Sequence, residues 1–212
     1  MLKKLILIAG PTASGKSKLA ITLAQKLNGV IINADSMQVY KEFRVLSSRP
    51  ENLELKKAKH ILYGFLSVKK YFSTGEWLKE VKKKVIECNK NNKVPILVGG
   101  TGLYFNAIVM GISKIPNIKL EDRISIRELH KKIGQEKFYK KLLSLDPLVK
   151  NKFLPTDTQR TIRAFEVKKI TKKSDAIKVS GIYEINRSVD LFTKEIHNII
   201  YMICLSRMIY VS

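Results

Sequence analysis

A chain of 212 residues is long enough for one substantial domain with its own core and a smaller appendage. Hydrophobic residues make up 45% of it and aromatic residues 8%, which excludes a chain that is disordered throughout. The 40 Lys and Arg residues against 18 Asp and Glu give a formal net charge of +22. Such a balance favours a polyanionic partner, because each phosphate contact releases condensed counterions. Lysine, isoleucine and asparagine are abundant throughout, so runs such as Lys82–Lys84 have a second explanation as the solvated face of a helix. Cys88 and Cys204 stand far apart, and His60, His130 and His197 lack ligand spacing, so neither a disulfide framework nor a zinc site is indicated.

The opening MLKKLILIAG has the layout of a signal peptide, with two lysines before an apolar run. The run is short and leads into a glycine-rich loop, so Leu5–Ala9 is expected to be a buried first strand. After the loop, Leu19, Leu23 and Leu27 with Ala20 and Ala24 recur at helical spacing, and Asn28-Gly29 is a helix stop. VIINAD reads as a second buried strand. In EWLKEVKKKVIECNK, Trp77, Val81 and Val85 lie four apart and predict an amphipathic helix with a lysine-rich outer face. Asn91-Asn92 ends it, and VPILVGG reads as a third buried strand. This alternation predicts an α/β fold, a parallel sheet covered by helices on both faces.

The composition changes at GISKIPNIKLEDR, where Gly111 and Pro116 mark a linker. Helical patterns follow over 120–133, 136–145 and 156–170. Three regions are therefore expected: an α/β core over 1–113, a helical segment over 114–171, and a tail over 172–212 whose weak pattern is compatible with a helix. The apolar end, IHNIIYMICLSRMIYVS, is interrupted by His197, Asn198 and Arg207, so no membrane partner is expected. The cytoplasm is the expected compartment.

Gly10, Pro11, Thr12, Ala13, Ser14, Gly15, Lys16 and Ser17 match G-x-x-x-x-G-K-[ST], between a buried strand and an amphipathic helix as that motif requires. The glycines let successive N–H groups point at one anion, and the helix N-terminus adds partial positive charge. Lys16 supplies a mobile full charge, and the Ser17 hydroxyl can hold a Mg²⁺ bridging phosphate oxygens. The loop identifies a phosphate chain and leaves open what the chain is attached to.

In a parallel sheet the carboxyl ends of the strands share one edge, where ligands bind. Two further groups are expected there, Asp35-Ser36-Met37-Gln38 and Gly99-Gly100-Thr101. Asp35 suits a metal holder or a general base, and equally a helix cap. Thr101 follows two glycines that permit close approach to a ligand, but a glycine turn closed by a capping threonine explains the same residues. In TDTQRTIRAFEV, Gln159, Arg160 and Arg163 share a face suited to phosphates and base edges, or to solvent.

The segments GPTASGKS, INADSMQVY, PILVGGTGLYF and DTQRTIRAFEV occur in that order and at fitting intervals. Together they resemble the tRNA dimethylallyltransferases, also called tRNA isopentenyltransferases, over about residues 4–170. SSRP at Ser47–Pro50 and His60 match weaker positions. The resemblance implies transfer of a five-carbon prenyl group from dimethylallyl diphosphate to N6 of the adenosine 3′ of the anticodon. Thr12 to Ser17 would then grip the diphosphate, with Mg²⁺ as cofactor. Asp35, Ser36, Met37 and Gln38, with Thr101, Arg123, Gln159, Arg160, Thr161, Ile162 and Arg163, would meet the anticodon stem-loop of tRNA. Asp35 would take the proton of the amine, Thr101 would bond the bridging oxygen, and Lys16 would stabilise the leaving group. A monomer is expected.

Members of that family continue further, so a shortened C-terminus is expected. SGIYEINRSVDLF looks like a later family segment in which an arginine before Val-Asp assists diphosphate binding; Ser188 holds that place and Arg187 is one residue off, so the role is not carried over. Two rivals follow from the same residues: an ATP-dependent P-loop small-molecule kinase, and a catalytically impaired transferase that retains tRNA binding.

Overall fold

The first strand, β1 (Leu5–Ala9), leads through the glycine-rich loop into α1 (Lys16–Leu27), and Asn28, left-handed at φ 51°, turns the chain into β2 (Gly29–Asn33). A short helix α2 (Asn52–Lys57) precedes β3 (Lys59–Ile61), α3 (Thr74–Lys90) precedes β4 (Val94–Gly99), and α4 (Gly102–Met110) follows. The computed structural model describes residues 5–112 and 118–172, and the backbone of residues 200–204. That last stretch is a strand, β5 (Ile200–Cys204).

Among the described residues, five strands are parallel in the order β3-β2-β4-β1-β5. Ile6 is level with Ile96 of β4 and with Tyr201 of β5, so β1 lies between them and both its faces need cover. The alternation of β1 supplies it. Leu5 and Leu7 pack with Trp77, Val81 and Val85 of α3 and Tyr104 and Ile108 of α4, whereas Ile6 and Ile8 pack with Ala20, Ile21 and Ala24 of α1. Each such aliphatic side chain, fully buried, contributes about 1.5–3 kcal/mol. The capping box of Ser73 and Glu76 starts α3, and Trp77 stacks on Tyr104 at 3.9 Å and 11°.

The strands with α1 to α4 form one compact unit, and the remaining helices form another. In the second, α5 (Leu120–Ile133), α6 (Gln135–Leu145), a 3₁₀ turn at Pro147–Val149 and α7 (Thr158–Thr171) enclose Ile126, Phe138, Leu142, Val149 and Phe165. Phe138 and Phe165 meet at 4.8 Å between centroids. Among the described residues, no helix is long and apolar enough to cross a membrane.

Several elements differ from expectation. The second strand ends at Asn33, so Asp35 lies in the loop beyond it. The strand containing Pro95 is the fourth, because α2 and the three-residue β3 are too short to register as a periodic pattern. The helix α7 begins at Thr158, because the Asp157 carboxylate accepts the Arg160 N–H at 3.0 Å and caps it there. The tail, whose weak pattern is compatible with a helix, contains β5; five apolar residues alongside an unpaired edge of β1 gain ladder hydrogen bonds over their whole length. The linker around Pro116, and the segment with Arg187 and Ser188, lie outside the described residues.

Candidate active site

The loop between β1 and α1 has two left-handed residues, Ala13 at φ 63° and Gly15 at φ 83°. They turn the backbone so that α1 starts without a side-chain cap and without an acidic residue in its first turn, unlike α3. Its first N–H groups therefore carry the partial positive charge of an uncapped helix end. The Ser14 hydroxyl is buried without a hydrogen-bond partner, an arrangement that carries a cost unless a polar group meets it. Lys16 folds back so that Nζ donates to the Pro11 carbonyl at 2.8 Å. Burial pushes its ammonium below the ordinary lysine range, an effect the Asp35 carboxylate opposes. Pro11, Thr12, Ala13 and Ser17 are exposed.

Three chain segments converge at this strand edge. The Gly10 N–H donates to the Gly99 carbonyl at 3.3 Å, the Ala34 N–H to the Val98 carbonyl at 2.8 Å, and the Thr101 N–H to the Ala34 carbonyl at 3.3 Å. The glycines make this possible. A Cβ on Gly99 would lie 2.0 Å from the Ala34 oxygen, and one on Gly100 would lie 3.3 Å from the Gly10 oxygen and 3.8 Å from Asp35 Oδ2.

Neither of the plain capping explanations describes the side chains. Asp35 Oδ1 accepts the Met37 N–H at 2.9 Å and closes a turn, not a helix. Thr101 makes no side-chain cap for α4; its hydroxyl oxygen accepts the Ser36 N–H at 2.9 Å, and its proton points to the Ser36 hydroxyl at 3.3 Å. Met37 is exposed, while the Gln38 carboxamide donates to the Ser47 carbonyl at 2.8 Å and so holds the 43–48 loop. Arg49 of the SSRP segment lies over Gly64 and donates to the Lys41 carbonyl at 3.3 Å. His60 Nδ1 is 2.9 Å from the Ala58 carbonyl, and burial lowers its pKa. Burial raises the Tyr63 phenol pKa, and the Asp35 charge adds to that shift.

The residue that sequence reasoning missed is Asn33, fully buried at the end of β2. Its Oδ1 accepts the Asp35 N–H at 2.9 Å, and its Nδ2 donates to the Asp35 carbonyl at 2.9 Å and to the Leu62 carbonyl at 3.1 Å. The Asn33 carbonyl accepts Trp77 Nε1 at 3.1 Å. The available signal was a carboxamide interrupting a continuous apolar strand, which demands internal partners.

The remaining candidates belong to the helical unit. Gln159 and Arg160 are exposed on the first turn of α7, and Arg160 pairs with Asp157 at 3.1 Å. Arg163, partly exposed, pairs with the buried Glu166 at 3.2 Å. Thr161 and Ile162 are buried, and Thr161 donates to the Asp157 carbonyl at 2.7 Å, so these two side chains hold the helix and do not form its outer face. Arg123 is half-buried in the first turn of α5. Among the described residues, no group of three or more His, Cys, Asp and Glu could hold a metal ion.

A family model described as IPP transferase matches residues 38–204. The tRNA dimethylallyltransferase of Pelagibacter ubique (strain HTCC1062) is 56% identical over 171 residues, covering 81% of this chain and 55% of that protein. A solved eukaryotic dimethylallyltransferase acting on tRNA superposes with a TM-score of 0.75 at 26% identity, over 96% of this chain and 48% of that one. The full-length tRNA isopentenylpyrophosphate transferase from Bacillus halodurans gives 0.52 at 32% identity, over 80% of this chain and 56% of that one. The chain thus spans about half the length of the relatives it matches. With the family model covering most of its residues and the α/β sheet shared with these structures, the chain belongs to the IPP transferase family.

Proposed function

We propose that this chain transfers a dimethylallyl group from dimethylallyl diphosphate to N6 of the adenosine 3′ of the anticodon in tRNA. The observation that carries this reading is the convergence of the Lys16 loop, Asp35 and Thr101 at one strand edge, tied by backbone hydrogen bonds that leave no room for a Cβ at Gly99. The uncapped start of α1, the Lys16 ammonium and the orphan Ser14 hydroxyl fit the oxygens of a diphosphate. The site has one carboxylate beside one ammonium, which suits a proton acceptor next to an anionic leaving group.

The chemistry requires one bond to form, between the allylic carbon and N6, and one to break, between that carbon and the diphosphate oxygen. Positive charge develops on the allyl group as negative charge develops on the diphosphate. Lys16 and the loop N–H groups stabilise the diphosphate, while Asp35 orients the poorly nucleophilic amine and accepts its proton. The Thr101 hydroxyl can turn its proton from Ser36 to the bridging oxygen and still accept the Ser36 N–H. The exposed Ser17 hydroxyl at the first turn of α1 would hold a Mg²⁺ bound with the diphosphate, and the ion would supply charge neutralisation on the leaving group.

An adenine inside a stacked loop must leave its stack to reach such a site, at a cost of about a few kcal/mol. The net charge of +22 supplies a salt-dependent attraction that offsets it. Gln159, Arg160, Arg163 and Arg123 are the groups we assign to the anticodon stem-loop, with Asp35 to Gln38 and Thr101 nearest the extruded base. The cytoplasm is the compartment this reading implies.

The test is incubation of the purified chain with unmodified tRNA, labelled dimethylallyl diphosphate and Mg²⁺, and in parallel with ATP. Label on the adenosine is the expected result. Turnover of ATP without label would support a P-loop kinase, and salt-sensitive tRNA retention without label would support a non-catalytic binder; either overturns the transferase reading for this chain.

A further inference from the structure

Asp35 lies beyond the end of its strand, where a carboxylate without support would wander with the loop. We propose that Asn33 is the positioning residue that holds Asp35 in place for proton transfer, by clamping its backbone from both sides and tying it to the turn at Leu62. The proposal rests on the reading of Asp35 as the group that accepts the proton of the attacking amine.

The clamp uses three of the four hydrogen-bonding positions of one carboxamide. One oxygen accepts the Asp35 N–H at 2.9 Å, and one nitrogen donates to the Asp35 carbonyl at 2.9 Å and the Leu62 carbonyl at 3.1 Å. The amide orientation is dictated by this set, because a flipped group would set an oxygen against two carbonyls and an NH₂ against an N–H. Asn33 is fully buried, so water does not compete for these bonds. Its own carbonyl is held by Trp77 Nε1 at 3.1 Å, and Trp77 is stacked on Tyr104, so the clamp is anchored in the packed face of the sheet.

The far end of the clamp is a strained turn. Leu62 has φ 63° and Gly64 φ 52°, and a leucine persists in the left-handed region only where its surroundings determine it. The Asn33 bond to the Leu62 carbonyl is one such determinant. The Gly64 N–H returns to the Gln38 carbonyl at 2.8 Å. Asp35 to Gln38 is thus held at one end by Asn33 and at the other by the same turn that Asn33 grips. A single buried side chain therefore links both ends of the carboxylate-bearing loop to the end of β2.

No aspartate or shorter residue reproduces the pattern. Asn33→Asp keeps an acceptor for the Asp35 N–H but faces two carbonyls with an oxygen. Asn33→Ser keeps a short hydroxyl that can serve the Asp35 N–H as a two-residue turn, but it cannot reach Leu62. The test is amide hydrogen exchange on the full chain for wild type, Asn33→Asp and Asn33→Ser, with melting curves as the control for folding. Exchange over Asp35–Gln38 and Leu62–Leu66 should rise by about tenfold in Asn33→Asp with α1 and β4 unchanged, and in Asn33→Ser, which loses the bonds to the Asp35 and Leu62 carbonyls, both segments should rise as well. In prenyl transfer, Asn33→Ser should lower kcat by about tenfold while KM for dimethylallyl diphosphate stays within about twofold.

Unchanged exchange over both segments in Asn33→Ser, or a uniform rise across the whole chain in step with a lower Tm, would overturn the positioning role. Absence of transfer by the wild-type chain would overturn the reading of Asp35 as proton acceptor, and the exchange pattern would still judge the clamp by itself.

Discussion

The Thr101 hydroxyl oxygen accepts the backbone N–H of Ser36 at 2.9 Å, joining the turn after β4 to the turn after β2 across 65 positions of sequence. The hydroxyl belongs to the first residue before α4, where a threonine normally caps its own helix, yet here it serves the neighbouring loop. Replacement by the isosteric valine removes the acceptor and leaves the Ser36 N–H without its partner. Thr101→Val should therefore cost about 1–3 kcal/mol of stability and reduce transfer, whereas Thr101→Ser should preserve both. Equal melting and turnover in the valine variant would remove the hydroxyl from both roles.

Gly99 and Gly100 are adjacent but should not respond alike. A Cβ at Gly99 would meet the Ala34 oxygen at 2.0 Å, and the two backbones would have to separate. Gly99→Ala is expected to cost more than about 3 kcal/mol. Gly100→Ala meets the Gly10 oxygen at 3.3 Å and needs a shift of only a few tenths of an ångström, so its cost should stay below that of Gly99→Ala. Denaturant titration of the two variants decides the order.

Asp35→Ala should abolish prenyl transfer with tRNA retention largely intact, since the proposed reaction assigns the proton to the carboxylate and the binding to the positive charge of the chain. Lys16→Ala should mainly weaken use of dimethylallyl diphosphate, because it removes the mobile charge of the loop. Steady-state kinetics with each substrate varied in turn separates the two. Near-normal turnover in the aspartate variant removes it from the proton-accepting role, and unaltered diphosphate kinetics in the lysine variant contradicts the loop assignment.

Acid should erode the start of α3 in a predictable direction. The Ser73 N–H and hydroxyl hold the Glu76 carboxylate below its ordinary pKa. A depressed carboxylate stabilises the fold fully above its unfolded pKa of about 4.3, and that stabilisation is lost as pH falls through the folded value. Ser73→Ala should cost about 1 kcal/mol at neutral pH. The gap between variant and wild type should narrow below about pH 4. A gap independent of pH from 7 to 3 would exclude the bond from the Ser73 hydroxyl to the Glu76 carboxylate as a contributor.

Binding to tRNA should weaken steeply with salt, and Arg160 is the clean probe of that term. It is exposed, and its partner Asp157 retains its cap on the Arg160 N–H when the side chain is removed. Arg160→Ala should reduce the slope of log K against log salt by about one. Arg163→Ala adds instability, because the buried Glu166 loses its ion pair. An unchanged slope in Arg160→Ala would take that residue off the nucleic-acid face.

Local chemistry was enough to read the elements built on long or repeated patterns. The continuous apolar run of β1, the four-residue spacing of Trp77, Val81 and Val85 and the glycine-rich turn between β1 and α1 each state their structure within a short window. They belong to a parallel α/β sheet because alternating strand and helix patterns have few other ways to cover both faces. Asp35, Thr101 and Lys16 could be picked out by residue type and spacing, and the fold brings their segments to one strand edge.

What only tertiary structure decided is who partners whom across long separations. No local rule assigns the Thr101 hydroxyl to Ser36, the Asn33 carboxamide to Leu62, or the five residues of β5 to the free edge of β1. A short strand or a single polar side chain carries too little periodic signal, and its state is set by whichever donor or acceptor the folded sheet brings beside it. The burial of Thr161 and Ile162 beside the exposed Arg160 is of the same kind, since the face a helix turns inward depends on the helices packed against it.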